Sequence, residues 1–407
     1  MTLGYSDSPW PGEDGGPTRL AAARHFEPVL GGDLRCTTRR SLMSTMTVLG
    51  APGDVFLLTH DALRSMVGLP TTARVERIDP VTLAPLARSP RLPGGPMWPG
   101  GIAVHGNGDL YAIYGRWAHR LDRDCRVKAA RRLPINQPHN SFVILPDGVI
   151  VTKNLSDKQP ALLSVLDPET LGIVAQLECP EPSIARLSAG GGQVYVVGTR
   201  SIMRCSWDGH RLTWDDWRHD YIGDTQQSYG WDVVLALGHA WFMDNGRHRY
   251  RTSMIGRGVS ATANRLIRVS LSDCRDASAT EISGLPGGSI TNPPLIDTER
   301  RIAIGFDSAN RVMRGWRIGV DGALEALWAL TDIGCASHMI LLPGAGQIVT
   351  NDYGGREAVV LLDITTGDTL ARVRIGGVTQ GVVFPSTGWS NDVYWCSMRR
   401  VARIFSD

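Results

Sequence analysis

The sequence predicts an all-β fold, a β-propeller of eight four-stranded blades, on three observations. A short apolar strand, a turn rich in Gly, Asp or Pro, and a second apolar strand ending in small or polar residues recur from about residue 43 to the end of the 407-residue chain. The second strands of these pairs fall at 55–59, 110–114, 149–153, 194–198, 240–244, 302–306, 348–351 and 393–397. Their spacing of roughly 40–60 residues is the period of propeller blades. Helical 3.6-residue periodicity is almost absent.

The rest of each repeat fits a four-stranded unit. A third strand commonly ends in Asp, and a fourth follows a turn. The clearest cases are 163–167 followed by PETLGIVAQLE and 359–363 followed by ITTGDTLARVRI. The last repeat supplies three evident strands, so its fourth must come from elsewhere. A strand near residues 34–41 is predicted to close the ring. Eight blades are expected, or seven if the first or last repeat is irregular. Residues 1–42 read as an N-terminal tail or surface wrap, rich in Gly, Pro, Asp and Ser, with the closing strand at its end. Residues 43–407 read as a single propeller domain.

Composition narrows the function classes. Apolar residues at 43% are enough for a sizeable core, and the net charge of +2 is near neutral. That balance argues against a nucleic-acid binder driven by bulk charge and against a polybasic membrane anchor. Seven dispersed cysteines lack any CxxC pair or zinc-ligand spacing, which suits reduced thiols. Neither a signal-like N-terminus nor an apolar run of about 18 residues occurs. A soluble cytoplasmic protein is the expectation.

Two segments, HNSFVILPDGVIVTKN (139–154) and SHMILLPGAGQIVTND (337–352), resemble blades of quinoprotein-like and gluconolactonase-like propellers. WFMDNGRHR (241–249) resembles the blade-ending FDNG…R of bacterial arylsulfotransferases. The latter resemblance implies a catalytic histidine near the start of the preceding strand, where this chain has Trp231-Asp232. The resemblances imply a propeller fold.

Hairpin geometry gathers the candidate site. In an antiparallel pair the start of the first strand lies beside the end of the second. His139 and Asn140 should therefore neighbour Lys153 and Asn154, and Trp231 and Asp232 should neighbour Asp244 and Asn245. Likewise Asn292 should neighbour Asp307, and His338 should neighbour Asn351 and Asp352. All belong to one rim of the ring. His139, His338 and Asp232 are the acid–base candidates, because His titrates near neutral pH. Asp244, Asp307 and Asp352 are candidate oxygen ligands for a divalent ion, calcium or a transition metal. Arg247 and Arg249 open an Arg-rich insertion suited to an anion. Asn140, Asn154, Trp231, Asn245, Asn292 and Asn351 complete the expected substrate-binding set. The expectation is a propeller enzyme of hydrolase or lyase type, acting on a small polar, anionic molecule in an axial pocket. The alternative is a non-catalytic scaffold that binds a protein or small ligand on its rim, with Trp117, Trp217, Tyr221 and Trp389 as aromatic anchors.

Overall fold

The computed structural model describes residues 4–61, 64, 67–223, 226–246, 262–377 and 384–406, with Asn140 described by its backbone alone. Its strands form eight four-stranded antiparallel blades arranged as a propeller. Blades 1 to 7 span 43–95, 101–132, 139–178, 188–220, 234–281, 295–331 and 340–374. Blade 8 combines 386–406 with Leu34–Arg40. That N-terminal strand pairs antiparallel with Arg400–Ser406, from Leu34 opposite Ser406 to Arg40 opposite Arg400. The ring is therefore closed by the strand expected near 34–41, and the last blade is left with no missing partner. Blade 1 carries one addition, Leu92–Gly95 on the edge of Thr71–Ile78.

Position in the blade explains the strand sequences. Second strands such as Val55–His60 and Ile150–Asn154 are buried on both faces, hence their unbroken apolar runs. Fourth strands such as Ile173–Glu178 alternate half-buried and exposed residues, because only one face meets the neighbouring blade. Tryptophans tie blades together through their indole N–H. Trp217 donates to the Ser270 carbonyl (2.9 Å), Trp328 to Ile364 (2.9 Å) and Trp389 to Asp54 (3.0 Å). Trp217 and Tyr221 are thus buried between blades 4 and 5, not presented as surface anchors.

The innermost strands leave one hydrogen-bonding edge facing the axis. The segment read as a tail or wrap covers that edge on the side of the short hairpin turns. The backbone N–H groups of Leu49, Val104, Ala189, Leu235 and Leu341, near the ends of five innermost strands, donate to the carbonyls of Trp10, Pro11, Pro17, Thr18 and Ala21. A Pro-rich segment suits this role, since proline accepts through its carbonyl and brings no N–H of its own to satisfy. Trp10 is fully buried at 1% exposure, and Glu13, Asp14 and Arg19 are buried with it. The segment is a plug that inserts three charged side chains into the ring.

Candidate functional site

The plug brings its charges onto residues at the starts of the innermost strands. Arg19 donates from Nη1 to Glu13 Oε1 (2.6 Å) and Asp14 Oδ2 (2.7 Å). From Nε and Nη2 it reaches the Leu187 carbonyl and the hydroxyls of Ser188 and Ser141. Arg186 donates to Glu13 Oε2 (2.9 Å) and to the Pro99 carbonyl (2.8 Å). His338 Nδ1 bonds Asp14 Oδ1 at 2.8 Å. Burial pushes the Asp14 carboxyl up, but His338 and Arg19 more than offset this and hold it below the usual carboxylate value.

The other side of His338 faces Asp232. Nε2 lies 3.9 Å from Asp232 Oδ2 and has no hydrogen-bond partner among the described residues. Asp232 Oδ1 accepts the Arg186 backbone N–H (2.7 Å), which fixes the carboxylate. Phe384 lies between the two basic groups, with its ring centroid 4.2 Å from the His338 ring centroid and 4.2 Å from the Arg186 guanidinium carbon. Lys153 completes the cluster from blade 3. It is fully buried, its Nζ donates to the Ser183 carbonyl (3.2 Å), and it feels the charges of Asp232 and Arg186. Burial lowers its pKa to about 8, although Cys179 and Asp232 pull the other way. The cluster thus draws on blades 3, 4, 5, 7 and 8 and on the plug.

Of the residues expected from sequence, His338 and Asp232 meet here. His139 does not join them through any contact among the described residues. Its Nδ1 lies against the carbonyls of Gln137 (3.1 Å) and Gly115 (3.3 Å), and burial pushes its pKa down to about 4. The strand-end residues serve their own blades. Asp244 accepts the Arg265 backbone N–H (2.8 Å) and its guanidinium (2.6 Å), and burial, only partly offset by Arg265, raises its pKa to about 6. Asp307 accepts from the N–H groups of Ser289, Ala309 and Asn310 and from the Ser283 hydroxyl. Asp352 accepts from Gly334 N–H, Gly354 N–H and Arg372. Asn154 binds Gln137 and the Leu162 N–H, Asn245 the Ile290 N–H, and Asn351 the Ala336 N–H. Each ties a strand end to the segment beside it.

Among the described residues, no three His, Cys, Asp or Glu side chains group closely enough to hold a metal ion. The donors of Asp244, Asp307 and Asp352 are committed separately, so the structure does not assemble them as a metal centre. Trp231 is buried and meets Tyr229 edge-on at 6.4 Å. Asn292 is fully buried, and neither amide atom has a hydrogen-bond partner among the described residues. The Asn140 side chain, Arg247 and Arg249 lie outside the described residues.

The fold can now be set beside known proteins. No protein-family model matches the chain, and no curated protein matches it. Solved structures do. BamB from Moraxella catarrhalis is 12% identical with a TM-score of 0.62, covering 92% of this chain and 98% of its own. A europium-containing methanol dehydrogenase is 9% identical with a TM-score of 0.66, covering 98% of both chains. Quinohemoprotein alcohol dehydrogenase from Comamonas testosteroni is 11% identical with a TM-score of 0.64, covering 97% of this chain and 80% of its own. At these identities the likeness establishes the propeller fold alone. It agrees with the quinoprotein-like resemblance of the blades; the arylsulfotransferase resemblance is not confirmed.

Sequence reasoning put Lys153 on the rim without giving it a role, and passed over Arg186, Phe384 and the plug residues Glu13, Asp14 and Arg19. Lys153 carried a signal. It is one of three lysines in the chain and stands at the end of the apolar run GVIVTK. Arg186 interrupts a similar run, SIARLSAG. The plug residues carried none, because a Gly/Pro-rich segment shows no periodicity that would reveal burial.

Proposed function

We propose that this propeller binds a small anionic molecule in its axial channel and acts on it by acid–base chemistry of hydrolase or lyase type. Lys153 and the His338–Asp232 pair are the reacting groups. The observation that carries this reading is the incomplete bonding of two fully buried basic side chains. Lys153 has one backbone carbonyl for its Nζ, and His338 Nε2 has no partner among the described residues. Burying such groups is costly unless something else is gained, and a buried lysine with a lowered pKa is the kind of group that concentrates at functional sites. A lysine near pKa 8 exchanges protons at neutral pH and, when charged, attracts an anion.

In this reading Asp232 holds the His338 imidazolium once it forms, while Asp14 fixes the ring through Nδ1. Arg186 and Phe384 brace the site, and Asn292 offers an amide on the blade 6 side. The turn side is closed by the plug, so a ligand reaches the channel from the opposite rim. The test is a thermal-shift screen of phosphate, sulfate and small di- and tricarboxylates against the full chain. A hit should raise the Tm of the wild-type protein and lose at least tenfold in affinity in Lys153→Met and His338→Gln. Equal binding in both variants would sink the assignment.

A second reading is favoured by a different observation. Glu13 and Asp14 already occupy basic groups of the channel, as an internal ligand would. The ring would then be a closed scaffold, and no member of the screen would shift its Tm.

A further inference from the structure

Where the ring closes, six arginines gather around two adjoining cavities on the open rim. One, of about 330 Å³, is lined by Arg39, Arg40, Arg74 and Arg88, and the other, of about 420 Å³, by Arg40, Arg399 and Arg400. Arg40 and Ser41 line both, because here the chain passes from the outer strand of blade 8 to the inner strand of blade 1. Glu76 is the one acid lining either cavity, and it is already bound by Arg39 (2.6 Å) and Arg88 (3.0 Å). Arg40, Arg74, Arg399 and Arg400 therefore meet no carboxylate among the described residues. The Nε of Arg74 is buried without a hydrogen-bond partner among the described residues. Arg399 holds a left-handed turn position (φ 61°) that glycine or asparagine fills at lower cost.

In a chain of net charge +2 this is a local concentration of uncompensated guanidinium groups. We propose that the closure-seam groove is a binding site for a small polyvalent oxyanion of the phosphate-ester or pyrophosphate class. The planar guanidinium fork pairs with two oxygens of such an anion at once, and two joined lobes suit an anion with two charged centres. The arginines line concave cavities on one seam. An extended polyanion would need a longer basic track, and a charged membrane surface would need an open basic face. This site is distinct from the axial channel and does not depend on the reading given for it.

The test is calorimetric titration of the full chain with inorganic pyrophosphate, with ionic strength held constant by chloride. One-site binding is expected. Arg74→Gln and Arg399→Asn should each weaken it at least fivefold, and the pair should abolish it. Asparagine keeps the left-handed turn, so Arg399→Asn removes the charge without disturbing the strand connection; unchanged Tm and circular dichroism check this. Lys153→Met should bind as wild type does. No binding above the chloride control, or variants indistinguishable from wild type, overturns the proposal. Equal loss in Lys153→Met would overturn it too, by putting the anion in the axial channel. Sedimentation with phosphatidylglycerol vesicles without pyrophosphate binding would instead assign the groove to a membrane surface.

Discussion

The two rims of the ring are built from the same repeats, yet they differ in what covers them and in how their charged groups are used. The turn-side rim carries Asp79, Asp122, Asp167, Asp208, Asp321 and Asp363 at the ends of third strands. Several are half of a small turn: Asp79 accepts from the Thr82 N–H and hydroxyl, and Asp167 does the same for Thr170. Those carboxylates are spent on local geometry. The axis of this rim is closed by the plug. The opposite rim carries Arg40, Arg116, Arg200, Arg311, Arg356 and Arg399, and below it lie buried groups, His338 Nε2 and the Asn292 amide among them, that have no hydrogen-bond partner among the described residues. Local turn chemistry explains the first rim. The second has polar and charged groups beyond what its turns use, which is where a ligand would be recognised.

The largest expected effect tests whether the turn side is sealed by structure. Arg19→Ala leaves Glu13 and Asp14 buried without their shared guanidinium, which should cost about 3–5 kcal/mol in urea unfolding. An unchanged midpoint would mean that the plug is not part of the stable fold, and the contrast between the rims would fail. Next comes Glu357 on the open rim. It is 1% exposed, its Oε1 meets Asn351 (3.3 Å) and Trp395 (3.4 Å), and its Oε2 has no hydrogen-bond partner among the described residues. Burial raises its pKa from 4.5 to about 7. The folded chain then binds the extra proton between those values, so stability owed to this group is full below about 4.5 and is lost as pH rises through about 7. Glu357→Gln should match wild type at pH 4 and exceed it by about 3 kcal/mol at pH 9. A constant difference across pH would refute the assignment.

Much of the fold was legible in the sequence because burial on both faces writes a strand as an apolar run. The second strands observed at Val55–His60, Ile302–Asp307 and Asp392–Ser397 begin and end within a residue of the apolar runs that predicted them. The closing strand was legible from an unpaired edge that needed a partner. The site was legible only in part. Hairpin geometry located the rim, and it put His338 beside Asn351 and Asp232 on the inner strand of blade 5. It could not separate residues aimed at the axis from those that fasten strand ends, because Asp and Asn have the same composition in both roles. Asp307 with its three backbone donors and Asp232 with one look alike in sequence. The plug escaped notice for a related reason: its backbone hydrogen bonds are scattered over five blades, a pattern with no sequence period.

Lys153→Met sharpens the open-rim side with a change of opposite sign. The folded value near 8 lies below the ordinary 10.5, so the unfolded chain binds more protons between them. Stability owed to Lys153 is therefore lowest below about 8 and rises toward 10.5. Methionine fills similar space without a charge, so the variant should be more stable than wild type by about 2 kcal/mol at pH 7, after losing about 1 kcal/mol for the bond to Ser183. A gain in stability together with a loss of anion binding is what a residue kept for function predicts. If the variant were less stable at pH 7, Lys153 would be a structural tie.

The smallest effect belongs to the turn side. Asp363 Oδ1 accepts from the Thr365 N–H (2.7 Å) and hydroxyl (2.5 Å) and from the Thr366 N–H (3.0 Å). What burial it has raises its pKa, but these bonds outweigh that and hold it below the ordinary carboxylate value. A lowered folded value means the stabilisation is present above about 4 and fades as pH falls through the folded pKa. Solvent screens the site, so Asp363→Ala should cost no more than about 1 kcal/mol at pH 7 and nothing at the lowest pH at which the fold persists. It should leave anion binding in the axial channel and at the closure seam untouched. A loss of either would show that the turn-side carboxylates reach further than their own turns, and the division of labour between the rims would have to be redrawn.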